Sequence, residues 1–221
     1  MADYPVMLQL KGQRCVIVGA GPVGRRKLQS LANVGAERVL IAPDADREPL
    51  PADITIICRT FIDSDLDGAA LVFAATNLVQ TNRLIAESAR KRRIPVNIVD
   101  DPQASDFTLP AVSRHGALTL AIGTSGRSPA AAAIIRDNIS DSLSPGWELF
   151  IQLAAKLRSL RLTSDSNALY NRQVLHLLLE RGLIQMLESG DKVGIERLLT
   201  TELSDKVTWN DLDIDLPKGA S

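Results

Sequence analysis

The sequence predicts an α/β fold: a doubly wound parallel sheet, then a hairpin region that pairs subunits, then a C-terminal helical domain. Three observations carry this. Gly19-Ala20-Gly21-Pro22-Val23-Gly24 lies between a short apolar run and a helical stretch. Up to residue 99, short apolar runs alternate with helical patterns, which builds parallel sheets. After Pro102 the alternation stops, and apolar residues then recur at helical spacing.

The elements follow in order. Residues 1–13, with Tyr4-Pro5-Val6-Met7-Leu8, read as an edge strand or arm. Arg14-Cys15-Val16-Ile17-Val18 is a buried strand, and Arg25 to Asn33 a helix entered through the glycines. In a GxGxxG turn of this kind, Gly19 permits the tight turn and Gly21 lets a pyrophosphate approach the backbone. Gly24 lets helix and strand pack closely. Pro22 suits a first helical turn, where its missing N–H costs nothing. The free N–H groups of that helix end then face the phosphates. Glu37 to Ala42 is the second strand, followed by Pro43-Asp44 at the position where the motif requires an acid for the adenosine ribose. Asp44 repels a 2′-phosphate and favours NAD over NADP, although Arg47 lies close by.

Asp53 to Cys58 is a third strand, and Asp63, Asp65 and Asp67 read as solvated surface because the EF-hand spacing is absent. Ala70 to Ala75 is a fourth strand ending in Thr76-Asn77. Residues 79–92 form a helix whose basic end, Arg90-Lys91-Arg92-Arg93, complements its dipole as a solvated terminus. Pro95 to Val99 is a fifth strand, closed by Asp100-Asp101-Pro102. Phe107–Val112 and Ala117–Ile122 then form a hairpin turning at Arg114-His115-Gly116. Ser128 and Pro129 read as the N-cap and first residue of a helix. Three apolar stripes follow: Leu149, Leu153, Leu157 and Leu160; Tyr170, Val174, Leu177 and Leu178; and Ile195, Leu198 and Leu199. The last dozen residues read as a loose tail. The expected domains are 1–112 for nucleotide binding, 113–143 for dimerisation and 144–221 for the helices.

Composition excludes other classes. The 221 residues carry a net charge of −1, which gives no footprint for nucleic acid or a membrane surface. Aromatics are 4%, too few for a base-stacking platform. Cys15 and Cys58 both fall in predicted buried strands and read as free core thiols, suited to a reducing cytoplasm. Neither a signal peptide nor a transmembrane-length apolar run is expected.

Chemistry concentrates beyond the carboxyl ends of the strands, where ligands bind in open parallel sheets. That edge collects Gly19, Gly21, Pro22, Val23, Gly24, Pro43, Asp44, Thr76 and Asp100. Asp100 is a carboxylate able to accept a proton, or the start of an Asx turn before Pro102. No Tyr-x-x-x-Lys pair and no Cys-x-x-Cys or His-x-x-x-His cluster occurs, so no metal is expected. The reaction therefore uses little acid–base machinery. Thr124, Ser125, Arg127 and Ser128 in the Gly123–Pro129 loop supply hydroxyls, a guanidinium and helix N–H groups that suit an anion, or simply cap a helix.

Taken together, these residues resemble the precorrin-2 dehydrogenase family, the dehydrogenase module of siroheme synthases. The resemblance covers roughly residues 3–160. It rests on Pro5 to Leu10, Val16 to Gly24 with Arg26-Lys27, Ala74 to Asn77 with Asn82, Asn97 to Asp100, Phe107 to Pro110 and Ala121 to Pro129. It implies a homodimer and NAD-dependent oxidation of precorrin-2, a tetrapyrrole, to sirohydrochlorin in siroheme biosynthesis. It implies that Asp100 is catalytic, that Pro22, Val23, Pro43 and Asp44 contact NAD, and that Thr124 stands where some members carry a Ser beside the tetrapyrrole. Two other readings stay open: sirohydrochlorin ferrochelatase activity in the same pocket, and a non-catalytic NAD-sensing module.

Overall fold

The computed structural model describes residues 3–45, 50–51, 53–163, 172–203 and 209–217. Arg47 and Tyr170, named above, lie outside the described residues, as do 218–221. The chain divides into two compact units, Met1–Leu109 with Ser125–Arg127, and Pro110–Thr124 with Ser128–Ser221.

The first unit is built on five parallel strands: β1 (Arg14–Val18), β2 (Glu37–Ile41), β3 (Ile54–Ile57), β4 (Leu71–Ala74) and β5 (Val96–Ile98). Their order is β3-β2-β1-β4-β5. The order reverses between β1 and β4, which pair from Cys15 opposite Leu71 to Val18 opposite Ala74. Alternate residues of β1 enter two different cores. Cys15 and Ile17 pack with Leu28 and Leu31 of α1 (Pro22–Ala32). Val16 and Val18 pack with Ile85, Ala86 and Ala89 of α2 (Val79–Lys91). A strand covered on both faces has no polar positions to alternate, hence the unbroken apolar run. Each fully buried side chain, such as Ile17, Leu40 or Phe73, contributes about 1.5–3 kcal/mol by leaving water. Burial also pushes the Cys15 thiol up to about 11, so it remains a neutral core group.

The structure corrects several local expectations. Residues 3–13 form no strand. Tyr4 is 89% exposed, and the segment meets the first unit at its end, where Leu10 packs against the core, the Gly12 N–H donates to the Gly35 carbonyl and the Gln13 carbonyl accepts the Glu37 N–H. Cys58 is exposed rather than buried, because the strand ends at Ile57 and Cys58 lies just past it, at the edge of the sheet. Asp65 is buried, not solvated. It accepts two hydrogen bonds from Arg59, at 2.8 and 2.6 Å, and one from the Ile62 N–H at 2.8 Å. The basic end of α2 is likewise tied down, since Arg92 pairs with Asp63 at 2.8 Å and Asp67 at 3.0 Å. The short 3-10 helix Asp63–Leu66 is thereby fastened to α2.

In the second unit the hairpin strands are β6 (Ala111–His115) and β7 (Leu118–Ile122), later than expected at the start of β6. Residues 107–109 belong to the first unit instead. The Phe107 ring meets Phe73 edge-on with centroids 5.7 Å apart, and the Asn97 amide donates to the Phe107 carbonyl. The turn is Gly116-Ala117, with Gly116 at φ +54°, so Arg114 and His115 lie in β6. His115 Nε2 and the hydroxyls of Ser113 and Ser140 form a triangle with sides of 2.7–3.0 Å. That triangle fastens β6 to α3 (Pro129–Ser142). Leu153 and Leu157 of α4 (Gly146–Thr163) are fully buried with Leu178 of α5 (Arg172–Glu180). Leu183 and Leu187 of α6 (Leu183–Ser189) and Ile195 and Leu199 of α7 (Lys192–Leu203) complete this core. The expected tail is not loose throughout, because Leu212 of α8 (Trp209–Leu212) and Ile214 are buried against the same core.

Candidate active site

The glycine turn occupies the crevice where the strand order reverses. Gly19 leaves β1 at φ +113°, and a Cβ there would overlap the Ala75 carbonyl at the end of β4. A Cβ on Gly24 would overlap the Gly19 carbonyl oxygen and come within 3.5 Å of Ile17. These two glycines are required by the protein's own packing. Gly21 is different, because a Cβ there would meet no atom of the described residues within 4 Å. Gly21 is the N-cap of α1, makes no side-chain cap hydrogen bond, and is followed by Pro22. The first turn of α1 holds no acid, which leaves its positive dipole end uncompensated. Pro22 is exposed, Val23 half-buried, and Pro43 and Asp44 are exposed just past β2. This arrangement fits a pyrophosphate on the open Gly21 side and a ribose at Asp44.

Thr76 follows β4 across the crevice, where the Ala75 N–H donates to the Val18 carbonyl. Its backbone and hydroxyl are both held by the buried Asn82. The Thr76 N–H and Oγ1 donate to Asn82 Oδ1 at 3.1 and 2.7 Å, and Asn82 Nδ2 returns a bond to the Thr76 carbonyl at 3.0 Å. Thr76 thus shapes the crevice wall mainly through its backbone. Asn82, one turn into α2, locks that helix to the switch point.

Asp100 lies just beyond β5, at the same carboxyl edge of the sheet. It borders a small cleft of about 80 Å³ with Val79, Asn82, Arg83, Ile98 and Asp101. The two neighbouring acids have different duties. Asp101 Oδ1 accepts the Ala104 N–H at 3.1 Å, and the Asp101 carbonyl accepts the Ser105 hydroxyl at 2.9 Å. Asp101 therefore builds the turn before the chain returns along β5. Another half-buried group near the sheet is Lys27, whose Nζ lies 5.8 Å from the Phe73 ring centroid. Burial, and then the neighbouring Arg26, lowers its affinity for a proton.

In the Gly123–Pro129 loop, two of the four predicted substrate contacts close the loop itself. The Thr124 hydroxyl accepts the Ser128 N–H at 3.2 Å and donates to the Ser128 carbonyl at 3.1 Å. Ser128 Oγ caps α3 by accepting the Ala131 N–H. Ser125, at φ +48°, and Arg127 are exposed. Sequence reasoning missed Arg83 and Ile98 in the Asp100 cleft. The signal available was the spacing of Val79 and Arg83, one helical turn apart on the same face.

A parallel sheet with a glycine-rich turn at its switch point defines a nucleotide-binding protein of the Rossmann class. Residues 6–111 match a family model for NAD(P)-binding domains. The siroheme synthase of Methylococcus capsulatus is 36% identical over 161 residues, covering 71% of this chain and 34% of that protein. Siroheme synthase 1 of Yersinia pestis is 28% identical over 216 residues, covering 93% of this chain and 46% of that protein. The chain thus spans between a third and a half of the length of these relatives. A solved structure of SirC, a precorrin-2 dehydrogenase, matches the fold with a TM-score of 0.68 at 21% identity, over 91% of this chain and 99% of that one. The chain thus carries a match to NAD(P)-binding domains over residues 6–111 and is similar over most of its length to one part of siroheme synthases.

Proposed function

We propose that the protein oxidises precorrin-2 to sirohydrochlorin in siroheme biosynthesis, with NAD rather than NADP as acceptor. The observation that carries this is the glycine turn at the switch point with Asp100 on the same carboxyl edge of the sheet. Bound NAD supplies the hydride acceptor. Gly21 and the first turn of α1 hold the pyrophosphate, and Asp44 accepts from the ribose hydroxyls and repels a 2′-phosphate. The substrate is a partly reduced macrocycle, so losing a hydride and a proton extends its conjugation. Asp100 receives that proton, directly or through water, while Asp101 stays committed to its turn. Ser125 and Arg127 offer polar contacts to the anionic rim, on a loop closed by Thr124 and Ser128.

The working form is a homodimer, with pairing centred on residues 113–143. Ile134, Ile135 and Ile139 of α3 are 61, 44 and 38% exposed, and such a row is stabilised when covered. The free thiols of Cys15 and the exposed Cys58 suit a reducing cytoplasm.

The deciding experiment follows the absorbance of the protein mixed with enzymatically made precorrin-2 and NAD. Sirohydrochlorin and NADH should appear together. NAD binding without turnover would indicate a sensor and reject the dehydrogenase reading.

A further inference from the structure

Arg83 stands apart from the other arginines around it. Arg59 and Arg92 pair with Asp65 and with Asp63 and Asp67, and Arg90 pairs with Asp106 at 3.4 Å. Arg83 is exposed and, among the described residues, forms no ion pair. Yet it borders the same cleft as Asp100. Opposite charges that share a cleft without closing on each other leave room for a ligand presenting both polarities. The cleft's sides suit that role, with Val79 and Ile98 giving apolar surface and Asn82 fixing the first turn of α2 to Thr76. At about 80 Å³ the cleft is far smaller than the roughly 300–1,000 Å³ of a site that encloses a whole organic ligand. It admits one side arm of a large substrate, with the body of the ligand outside.

We propose that Arg83 is a substrate-positioning residue: its guanidinium pairs with a carboxylate arm of the macrocycle and thereby holds the adjoining ring with its departing proton towards Asp100. This rests on the dehydrogenase reading above. The planar guanidinium fork matches a carboxylate in two parallel hydrogen bonds, so one contact fixes orientation as well as position. It also answers an electrostatic problem. An anionic arm entering beside Asp100 and Asp101 is repelled by both unless a cation lines the entry, and Arg83 is the cation that lines it.

The test compares wild type, Arg83→Ala and Arg83→Lys. Affinity for sirohydrochlorin, the stable polycarboxylate product, is titrated by its absorbance and fluorescence, and KM and kcat are measured for precorrin-2. Losing a charge-assisted hydrogen-bond pair should weaken product binding and raise KM about ten- to a hundredfold in Arg83→Ala. Arg83→Lys should recover part of the loss, because it keeps the charge but not the fork. NAD affinity and the thermal midpoint should stay at wild-type values, since Arg83 is exposed. If Arg83→Ala binds sirohydrochlorin within twofold of wild type, or lowers kcat with KM unchanged, the positioning role is overturned. Absence of precorrin-2 oxidation by wild type would instead overturn the dehydrogenase reading, and the product titration would still decide whether Arg83 holds a carboxylate.

Discussion

A methyl group added to Gly24 would overlap the carbonyl oxygen of Gly19, five residues earlier in the same turn. The contact sets how closely α1 approaches β1, and it separates the three motif glycines by purpose. Gly19 and Gly24 serve the fold, while a Cβ on Gly21 would meet no atom of the described residues within 4 Å.

Two variants separate these purposes. Gly24→Ala should destabilise the protein by about 1–3 kcal/mol, the usual cost of overpacking, seen as a lower thermal midpoint. Gly21→Val should leave the midpoint near wild type and abolish NAD binding in calorimetric titration. A Gly21→Val protein that still bound NAD would show that the pyrophosphate does not lie there.

Asp44 is expected to set cofactor choice. Wild type should bind NAD more tightly than NADP, and Asp44→Ser should narrow that gap by about tenfold or more. The magnitude follows from losing acceptors to the ribose together with a like-charge repulsion of the 2′-phosphate. Parallel titrations with both nucleotides check it, and equal affinities in wild type would refute the assignment.

The paired acids after β5 give a catalytic test with an internal control. Asp100→Asn should keep NAD affinity and lower turnover by about 10²–10⁴-fold, the usual contribution of a general base. Asp101→Asn retains an Oδ1 able to accept the Ala104 N–H, so its turnover should stay near wild type. The reverse pattern would move the base to Asp101.

Asp65 predicts an acid-dependent stability term. The Arg59 side chain, with help from the Ile62 N–H, holds its carboxyl below the usual carboxylate range, against the opposing effect of burial. A folded-state value below the unfolded one of about 3.9 means stabilisation is complete above that pH. It disappears as pH falls through the folded-state value. The difference in thermal midpoint between wild type and Asp65→Asn should therefore be largest near pH 6 and shrink towards pH 3. A difference that stayed constant over that range would remove Asp65 as its source.

Assembly is checked at α3. Light scattering at micromolar concentration should give a dimer for wild type, and Ile134→Asp, at an exposed position, should shift it towards monomer without lowering helix content. A monomeric wild type would reject the pairing surface.

Much of the architecture was legible because it depends on local chemistry. The run Cys15 to Val18 reads as a buried strand because every residue is apolar, and the sheet covers it on both faces. The Ser128-Pro129 start of α3 reads as a cap because the Ser128 side chain and the Ala131 N–H are close in sequence. What failed to read were pairings that no periodicity or turn pattern encodes. Asp65 looked solvated until Arg59 enclosed it, and Phe107 looked like hairpin until Phe73, 34 positions earlier, held it to the sheet.

The sequence by itself determined the strand–turn–helix setting of the glycines, the acid after β2, the alternation that makes the sheet parallel, and the helical character of the C-terminal part. Period and turn chemistry are local, so they survive without coordinates. Only the tertiary structure decided which acids and arginines neutralise each other. It paired Arg59 with Asp65 and Arg92 with Asp63 and Asp67, committed Asp101 to a turn, and left Arg83 bordering the Asp100 cleft without an ion pair among the described residues. The physical reason is that charge pairing acts through space at a few ångströms, and no spacing along the chain encodes which side chains folding brings within that reach.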